Sequence, residues 1–343
     1  MTISWLIYFL IAFLISSFLS WGLSKLSRAK GRKNAFYWRL GGLAIIASFV
    51  VGVLLNSEIV ITQKISAILI SAGAIAAFGL LDDKFEFSWK VQLPFQALLA
   101  LALVWFGFEV NAVSFAGEEF FRMDYLQVEF LGAAFSLVSG FFILIWLASI
   151  INAVNWLDGT DGLLSAVAAL ALAAIFFVSL RPEVNQPALS IISLIAIGSI
   201  LGFFIFNFPP AKIIAGTSGS YFVGMLLAAL AIIAGTKIAT TMVILILPVA
   251  DFLWVTVERI KRGKSIFEKE EKKTHLHYKL LNAGWSEKQV LFGYFCFLGA
   301  ALLASLFVAS QLHKLILLAA ELAMIMIVIF SLTRINEKRE KKN

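Results

Sequence analysis

Four polar clusters in this chain of 343 residues carry the residue types that can do chemistry. The first is the acid pair Asp82-Asp83, followed by Lys84, Lys90 and Gln96. Neighbouring carboxylates repel, so either one keeps its proton to higher pH than a lone Asp or the pair recruits a cation. Both outcomes suit proton or phosphate chemistry; the alternative is a solvated helix cap. The second cluster runs Asn152-Ala-Val-Asn155-Trp-Leu-Asp158-Gly-Thr-Asp161-Gly-Leu163. A helical turn here would put Asp158 and Asp161 on one face, with Asn152 and Asn155 one turn earlier, so that amide and carboxylate oxygens converge. Gly159 and Gly162 leave room for a ligand near the backbone. An N-cap with turn glycines explains one Asp and one Gly, not two of each plus two Asn.

The third cluster, Asn207 to Ser220, holds Lys212 and the run Gly216-Thr217-Ser218-Gly219-Ser220. Small hydroxyl residues between glycines ahead of a helix can cradle a phosphate on backbone N–H groups, although a tight interhelical turn has the same composition. The fourth, Glu258 to Lys288, contains Arg259, Gly263, Phe267 and His275-Leu-His277-Tyr278-Lys279, with two of the chain's three histidines. Side chains two apart share a side only in an extended stretch. Neutral imidazoles bind metal and protonated ones bind phosphate, whereas the lysines alone would suit anionic lipid headgroups.

The elements that must position these clusters are membrane helices. The chain is 61% hydrophobic and 14% charged, with a mean hydropathy of +0.92, which excludes a water-facing globular surface. Its one cysteine, Cys296, sits in an apolar run, so neither a disulfide framework nor a Cys-ligated metal can be built. Apolar runs predict eleven spans, near 3–23, 41–57, 61–81, 91–109, 132–152, 162–180, 186–206, 219–236, 238–257, 289–311 and 315–333. The first lacks a basic leader and a small-residue cleavage site, which makes it a retained helix rather than a signal peptide. The fold class expected is all-α and polytopic.

A net charge of +7 invites a nucleic-acid reading, but the placement of the cations argues against it. Of 28 Lys and Arg residues, 23 fall on alternate connectors and the C-terminal end, leaving Lys64, Arg122, Arg181, Lys237 and Lys314 on the other side. The richer side is cytoplasmic by the positive-inside rule, which puts the N-terminus out and the C-terminus in, as an odd number of spans requires. The outer connector 110–131 has alternating aromatics and acids that suit a small hairpin. The organisation expected is one transmembrane catalytic domain over 1–333, with active-site loops 82–90, 152–162, 207–220 and 258–288, and a basic cytoplasmic tail over 334–343.

Spans four, six, eight and ten all start at the cytoplasmic face, so their positive N-terminal ends point toward all four clusters. Carboxylates for a divalent cation, helix starts and lysines for phosphates, and a membrane groove for an apolar tail suggest phosphoryl transfer between a nucleotide and a lipid. A transporter would need ionisable groups at mid-membrane. Glu321 is the one clear case and is read as a helix–helix hydrogen-bonding group; Asp251 lies toward the inner end of span nine.

The motifs resemble the polyprenyl-phosphate N-acetylhexosamine-1-phosphate transferases of glycosyltransferase family 4. The residues that carry the resemblance are Asp82-Asp83 with Lys90 and Gln96, Asn152-x-x-Asn155-x-x-Asp158-Gly-x-Asp161-Gly-Leu, Pro210-Ala-Lys-x-x-x-Gly216-x-x-Gly219-Ser220-x-x-x-Gly224, His275-x-His277, and Arg39-Leu-Gly41-Gly42. It spans nearly the whole chain, in family order and spacing. It implies transfer of a sugar 1-phosphate from a UDP-sugar to a polyprenyl phosphate such as undecaprenyl phosphate, with release of UMP and use of Mg²⁺, or Mn²⁺ in its place. By resemblance Asp82, Asp83 and Asp158 are catalytic, one of the pair being a base for the lipid phosphate. Lys90, Asn152, Asp161, Gly216, Gly219, His275 and His277 would bind substrate, and Asn155 the metal. The partners implied are the UDP-sugar, the lipid, the plasma (inner) membrane and a second copy in a homodimer, with no nucleic acid.

Two positions depart from the family pattern. Thr217 stands where the family usually has a metal-binding Asp, and Tyr278 where a third His is common. A hydroxyl is a poor substitute for a carboxylate on Mg²⁺, so either metal binding weakens or the duty passes to Asp82, Asp83 or Asp158. A catalytically impaired member that binds lipid phosphate, and the phospho-N-acetylmuramoyl-pentapeptide transferase, are the alternatives. The His-x-His loop looks more like that of enzymes starting O-antigen, teichoic-acid or arabinogalactan-type polymers.

Overall fold

A computed structural model describes residues 3–31, 35–115, 118–130, 132–235, 238–261, 263, 274–308 and 311–340. Phe267 and the lysines of 264–273 lie outside the described residues. The first half contains α1 (Ile3–Lys30), α2 (Ala35–Trp38), α3 (Gly41–Leu54), α4 (Gln63–Phe85), α5 (Trp89–Trp105), strands β1 (Ala112–Phe115), β2 (Glu118–Arg122), β3 (Gln127–Phe130) and β4 (Ala133–Ser136), and α6 (Leu137–Leu157). The second half contains α7 (Leu163–Ser179), α8 (Pro187–Asn207), α9 (Gly216–Ile233), α10 (Ile238–Lys261), α11 (Leu276–Asn282), α12 (Glu287–Phe307) and α13 (Gln311–Glu340).

The protein is an all-α polytopic membrane protein. Eight of its helical segments are long and apolar enough to cross a bilayer, and Trp89–Trp105 and Leu163–Ser179 are shorter apolar helices. Each of the eleven apolar runs falls on a helix, with shifted ends. The fifth begins at Leu137 rather than near 132, because 133–136 pair as a strand and Ser136 caps the helix by accepting from Ser139 N–H at 3.3 Å. The connector between α5 and α6 forms two antiparallel strand pairs, β1–β2 and β3–β4, where one hairpin was expected. α13 runs on to Glu340, so most of the basic tail continues the last helix. Glu321 is buried, and its Oε2 has no partner among the described residues, unlike the helix–helix hydrogen bond expected of it.

Buried α9 forms the centre of the bundle. Lipid tails give no hydrophobic drive between helices, so close packing of small residues has to hold them together. A Cβ on Gly79 of α4 would lie 2.3 Å from the Ser218 Cα, and one on Gly42 of α3 would lie 2.1 Å from the Gly219 N. α3 and α4 therefore touch the first turn of α9 backbone to backbone. Hydrogen bonds from Gly41 N–H to Ile214 O and from Gly42 N–H to Ala215 O, at 3.0 and 2.9 Å, tie the start of α3 to the segment leading into α9. Ile214 N–H donates in turn to Trp38 O at 2.9 Å.

Candidate active site

The site is built on the N-terminus of α9. Asp82 and Asp83, both buried, occupy the last turn of α4, which ends where Glu86 takes a left-handed conformation at φ 49°. Thr217 N–H donates to both Asp83 oxygens at 3.1 Å, and the Thr217 hydroxyl donates to Asp82 Oδ2 at 2.7 Å. Gln92 Nε2 on α5 donates to Asp82 Oδ1 at 3.0 Å. From the other side, Asp158 at the end of α6 accepts from Ala215 N–H at 3.3 Å and Gly216 N–H at 2.8 Å. Carboxyl groups at the ends of two helices thus accept from the free N–H groups at the start of a third. Gly216, at φ 66°, allows this: a Cβ there would stand 2.6 Å from Asp83 Oδ2 and 2.4 Å from Arg39 O.

Burial pushes the Asp158 carboxyl up to about 8, against the lowering pull of the Gly216 and Ala215 N–H groups; Asp83 raises it further and Arg39 lowers it. The N–H groups of Ala215, Gly216 and Thr217, which a cradled phosphate would use, are engaged by the protein's own carboxylates. Gly219 packs on Gly42, where a Cβ would meet the Gly42 Cα at 2.7 Å.

The fifth connector does not form the single polar face expected of it. α6 stops at Leu157, so Asp158 and Asp161 leave the helical repeat and serve different stretches of chain. Asp161 Oδ2 accepts from Ala211 N–H at 2.7 Å, and Asn207 Oδ1 accepts from Gly162 N–H at 3.1 Å, stitching the connector to the seventh. Asn155 Oδ1 accepts from the Ser220 hydroxyl at 2.6 Å, which places it over the first turn of α9. Asn152 pairs instead with Gln96 of α5, donating to its Oε1 at 2.8 Å.

The histidines arrive from the opposite side. His275, the residue before α11, is extended, but His277 already lies in the first turn of that helix, so the pair meets across a helix start rather than along the extended stretch expected, with the rings nearly parallel and 5.7 Å apart. Both imidazoles are fully buried. His275 Nδ1 lies 2.9 Å from Asp251 Oδ2 on α10, and Asp251 Oδ1 accepts from Leu276 N–H at 2.8 Å. Trp156 packs on His275 at 4.3 Å, and the Tyr278 hydroxyl donates to Gly159 O at 3.1 Å, joining the histidine loop to the fifth connector. Tyr278 therefore makes a hydrogen bond where the third His is common.

Three participants were given no role at the site from the sequence. Gln92 carries no signal beyond being a polar residue at a helix start. Asp251 had one, an acid inside an apolar run. Arg39 was visible only as part of a motif, yet its guanidinium acts electrostatically on both Asp83 and Asp158 and lies 3.8 Å from Glu86. Lys90 is exposed over the Trp89 ring at 5.9 Å and takes no part in the network around the acids. An open cleft of about 650 Å³ adjoins the acidic end of α4, lined by Lys30, Phe36, Asp83, Lys84, Phe85 and Glu86 among others.

Asp82, Asp83 and Asn155 present hard oxygens, the donor type Mg²⁺ takes, usually as one or two carboxylates plus substrate phosphates. Among the described residues no three His, Cys, Asp or Glu are grouped to hold a metal by themselves. Thr217 already donates its hydroxyl proton to Asp82. The donor set suits Mg²⁺ completed by a phosphorylated ligand.

Residues 65–235 match the family described as Glycosyl transferase family 4. A protein of Bacillus subtilis (strain 168), named a probable undecaprenyl-phosphate N-acetylglucosaminyl 1-phosphate transferase, is 32% identical over 258 residues, covering 73% of this chain and 67% of that protein. A decaprenyl-phosphate N-acetylglucosaminephosphotransferase of Mycobacterium leprae (strain TN) is 30% identical over 286 residues, 74% of this chain and 68% of its own. A phospho-N-acetylmuramoyl-pentapeptide-transferase of Limosilactobacillus reuteri (strain DSM 20016) is 29% identical over 302 residues, 81% of this chain and 89% of its own.

Proposed function

Because the chain belongs to glycosyl transferase family 4, we propose that it transfers an N-acetylhexosamine 1-phosphate from a UDP-sugar to a polyprenyl phosphate, releasing UMP. It is an enzyme of the phosphoglycosyl transferase type. The observation that carries the reading is the anchoring of Asp82 and Asp83 on the N-terminus of α9, with Asp158 and Asn155 on the same turn and an open cleft beside Asp83. The reading is supported by Asp83 standing on the wall of that cleft, where a carboxylate could take a proton or meet a cation.

In the reaction proposed, an oxygen of the lipid phosphate attacks the sugar-linked phosphorus of the UDP-sugar. A new P–O bond joins lipid phosphate to sugar phosphate, and the bond to the bridging oxygen breaks, so that UMP leaves with the electron pair. Phosphoryl transfer depends mainly on positioning and on stabilising charge. One carboxylate of the Asp82-Asp83 pair takes a proton from the lipid phosphate, while Thr217 and Gln92 fix where the pair points. Asp158 holds Gly216 and hence the start of α9. Asp82, Asp83 and Asn155 would hold Mg²⁺, whose charge would offset that of the diphosphate. His275 and His277 order the loop on the far side of Gly159, through Trp156 and Tyr278. The active face is read as cytoplasmic, with the N-terminus out, and the membrane as the plasma membrane.

The test is UMP release and lipid-linked product formation by the purified protein, given undecaprenyl phosphate, Mg²⁺ and a panel of UDP-sugars that includes UDP-N-acetylmuramoyl-pentapeptide. Release with UDP-N-acetylglucosamine is expected. Turnover of the pentapeptide donor alone would replace the sugar assigned, and no release with any donor would overturn the reading.

A further inference from the structure

Resting on the function proposed above, we propose that Arg39 is the residue of this site that grips a substrate phosphate, and that Glu86 parks its guanidinium when no phosphate is bound. The backbone around Arg39 is fixed on both sides. Trp38 O accepts from Ile214 N–H at 2.9 Å, Gly41 N–H donates to Ile214 O at 3.0 Å, and the Arg39 carbonyl lies against Gly216, where a Cβ would stand 2.4 Å from it. Its Cα is therefore held between the acidic end of α4 and the start of α9, and only the side chain is left to move.

Among the described residues that side chain has one ion-pair partner, and the pairing is loose. Nη1 lies 3.8 Å from Glu86 Oε1, with the Arg39 side chain 33% exposed and the Glu86 side chain 56% exposed. A solvated pair at this distance contributes little. A phosphate offers what Glu86 here does not, since guanidinium and phosphate make short, frequently bidentate, charge-assisted hydrogen bonds. Glu86 lines the open cleft beside Asp83 together with Lys30 and Lys84, and the Arg39 guanidinium stands within ion-pair reach of that wall through Glu86. Lys90, the cation expected near the phosphates, is exposed and joins no bond of the acidic network. Arg39 acts on Asp83 and Asp158 together, which places its charge where an added phosphate beside those carboxylates would need neutralising.

The phosphate is either the donor's diphosphate or the lipid acceptor's monophosphate, and two binding arms separate them. Equilibrium binding of UDP in Mg²⁺, and of undecaprenyl phosphate in nanodiscs, is measured for the full chain and for Arg39→Gln, Arg39→Lys and Glu86→Gln, with the thermal transition of each recorded. Arg39→Gln is expected to weaken one ligand about 10- to 100-fold, the loss of a charge-assisted hydrogen bond, while the other changes little. The ligand that weakens identifies the phosphate. Arg39→Lys recovers part of the loss, because it restores charge without the planar fork. Glu86→Gln, which releases the guanidinium, tightens the same ligand about two- to fivefold. Unchanged binding of both ligands by a folded Arg39→Gln overturns the proposal, as does unchanged or weaker binding by Glu86→Gln. Should the unsubstituted protein bind neither ligand, the function itself fails, a result distinct from failure of Arg39 alone.

Discussion

The Thr217 hydroxyl donates to Asp82 Oδ2 at 2.7 Å while its own N–H bridges both oxygens of Asp83. One residue thus orients both members of the acid pair, at the position where the family pattern expects a third carboxylate. Thr217→Asp would replace a donor by another negative charge beside two others. Its thermal transition is expected to fall in chelator and to recover with Mg²⁺ by a larger step than the parent shows, and its turnover to depend more steeply on Mg²⁺. An unchanged metal response would mean that the cation sits elsewhere. Thr217→Val, which loses only the hydroxyl, should cost about 1.5–3 kcal/mol of stability, as for other hydrogen bonds to a charged group.

Asp82→Asn keeps an oxygen for the Gln92 amide while its new NH2 can donate to the Thr217 hydroxyl, and Asp83→Asn keeps one oxygen for Thr217 N–H, so the fold should survive. Turnover should not. If the pair supplies the base, UMP release falls by about 10²–10⁴-fold or more in at least one variant, with the thermal transition little changed. Parent rates in both would remove the pair from the chemistry.

Asp158 gives the stability a pH dependence whose sign is fixed. Its carboxyl titrates near 3.9 in an unfolded chain and is pushed up to about 8 in the folded one. Between these values the folded state keeps a proton that the unfolded state has released, so stability falls as pH rises through the window and levels off above about 8. Asp158→Asn cannot ionise. Melting in detergent from pH 5 to 8 should decline less steeply for this variant than for the parent; equal slopes would contradict the assignment.

Gly79 sets how closely α4 approaches α9. A Cβ at this position would stand 2.3 Å from the Ser218 Cα and 2.4 Å from its N, both backbone atoms that cannot rotate away. Gly79→Ala should cost at least about 1–3 kcal/mol through overpacking, and it should lower turnover further by separating Asp82 and Asp83 from Thr217. Gly73, on the same helix with nothing within 4 Å, supplies the control: its Ala variant should match the parent in both measurements.

The linear order of residues by itself determined the class of the protein and the inventory of its chemistry. Mean hydropathy and the recurrence of long apolar runs follow from transfer energies that act on each segment separately, which is why an all-α polytopic membrane protein was legible before any packing was known. The spacing of Asp82-Asp83, Asn152 to Asp161 and His275-x-His277 likewise named the family without a structure.

What only the tertiary structure decided is which oxygen faces which donor. Local periodicity put Asp158 and Asp161 on one helical face. The helix stops at Leu157, and the two acids are drawn apart by the N–H groups of Gly216 and Ala211, which need partners and lie more than 45 residues away. Arg39, Gln92 and Asp251 became part of the site for the same reason: hydrogen bonding and charge act across space, between helix ends that meet only because Gly42 and Gly79 let α3 and α4 close on α9.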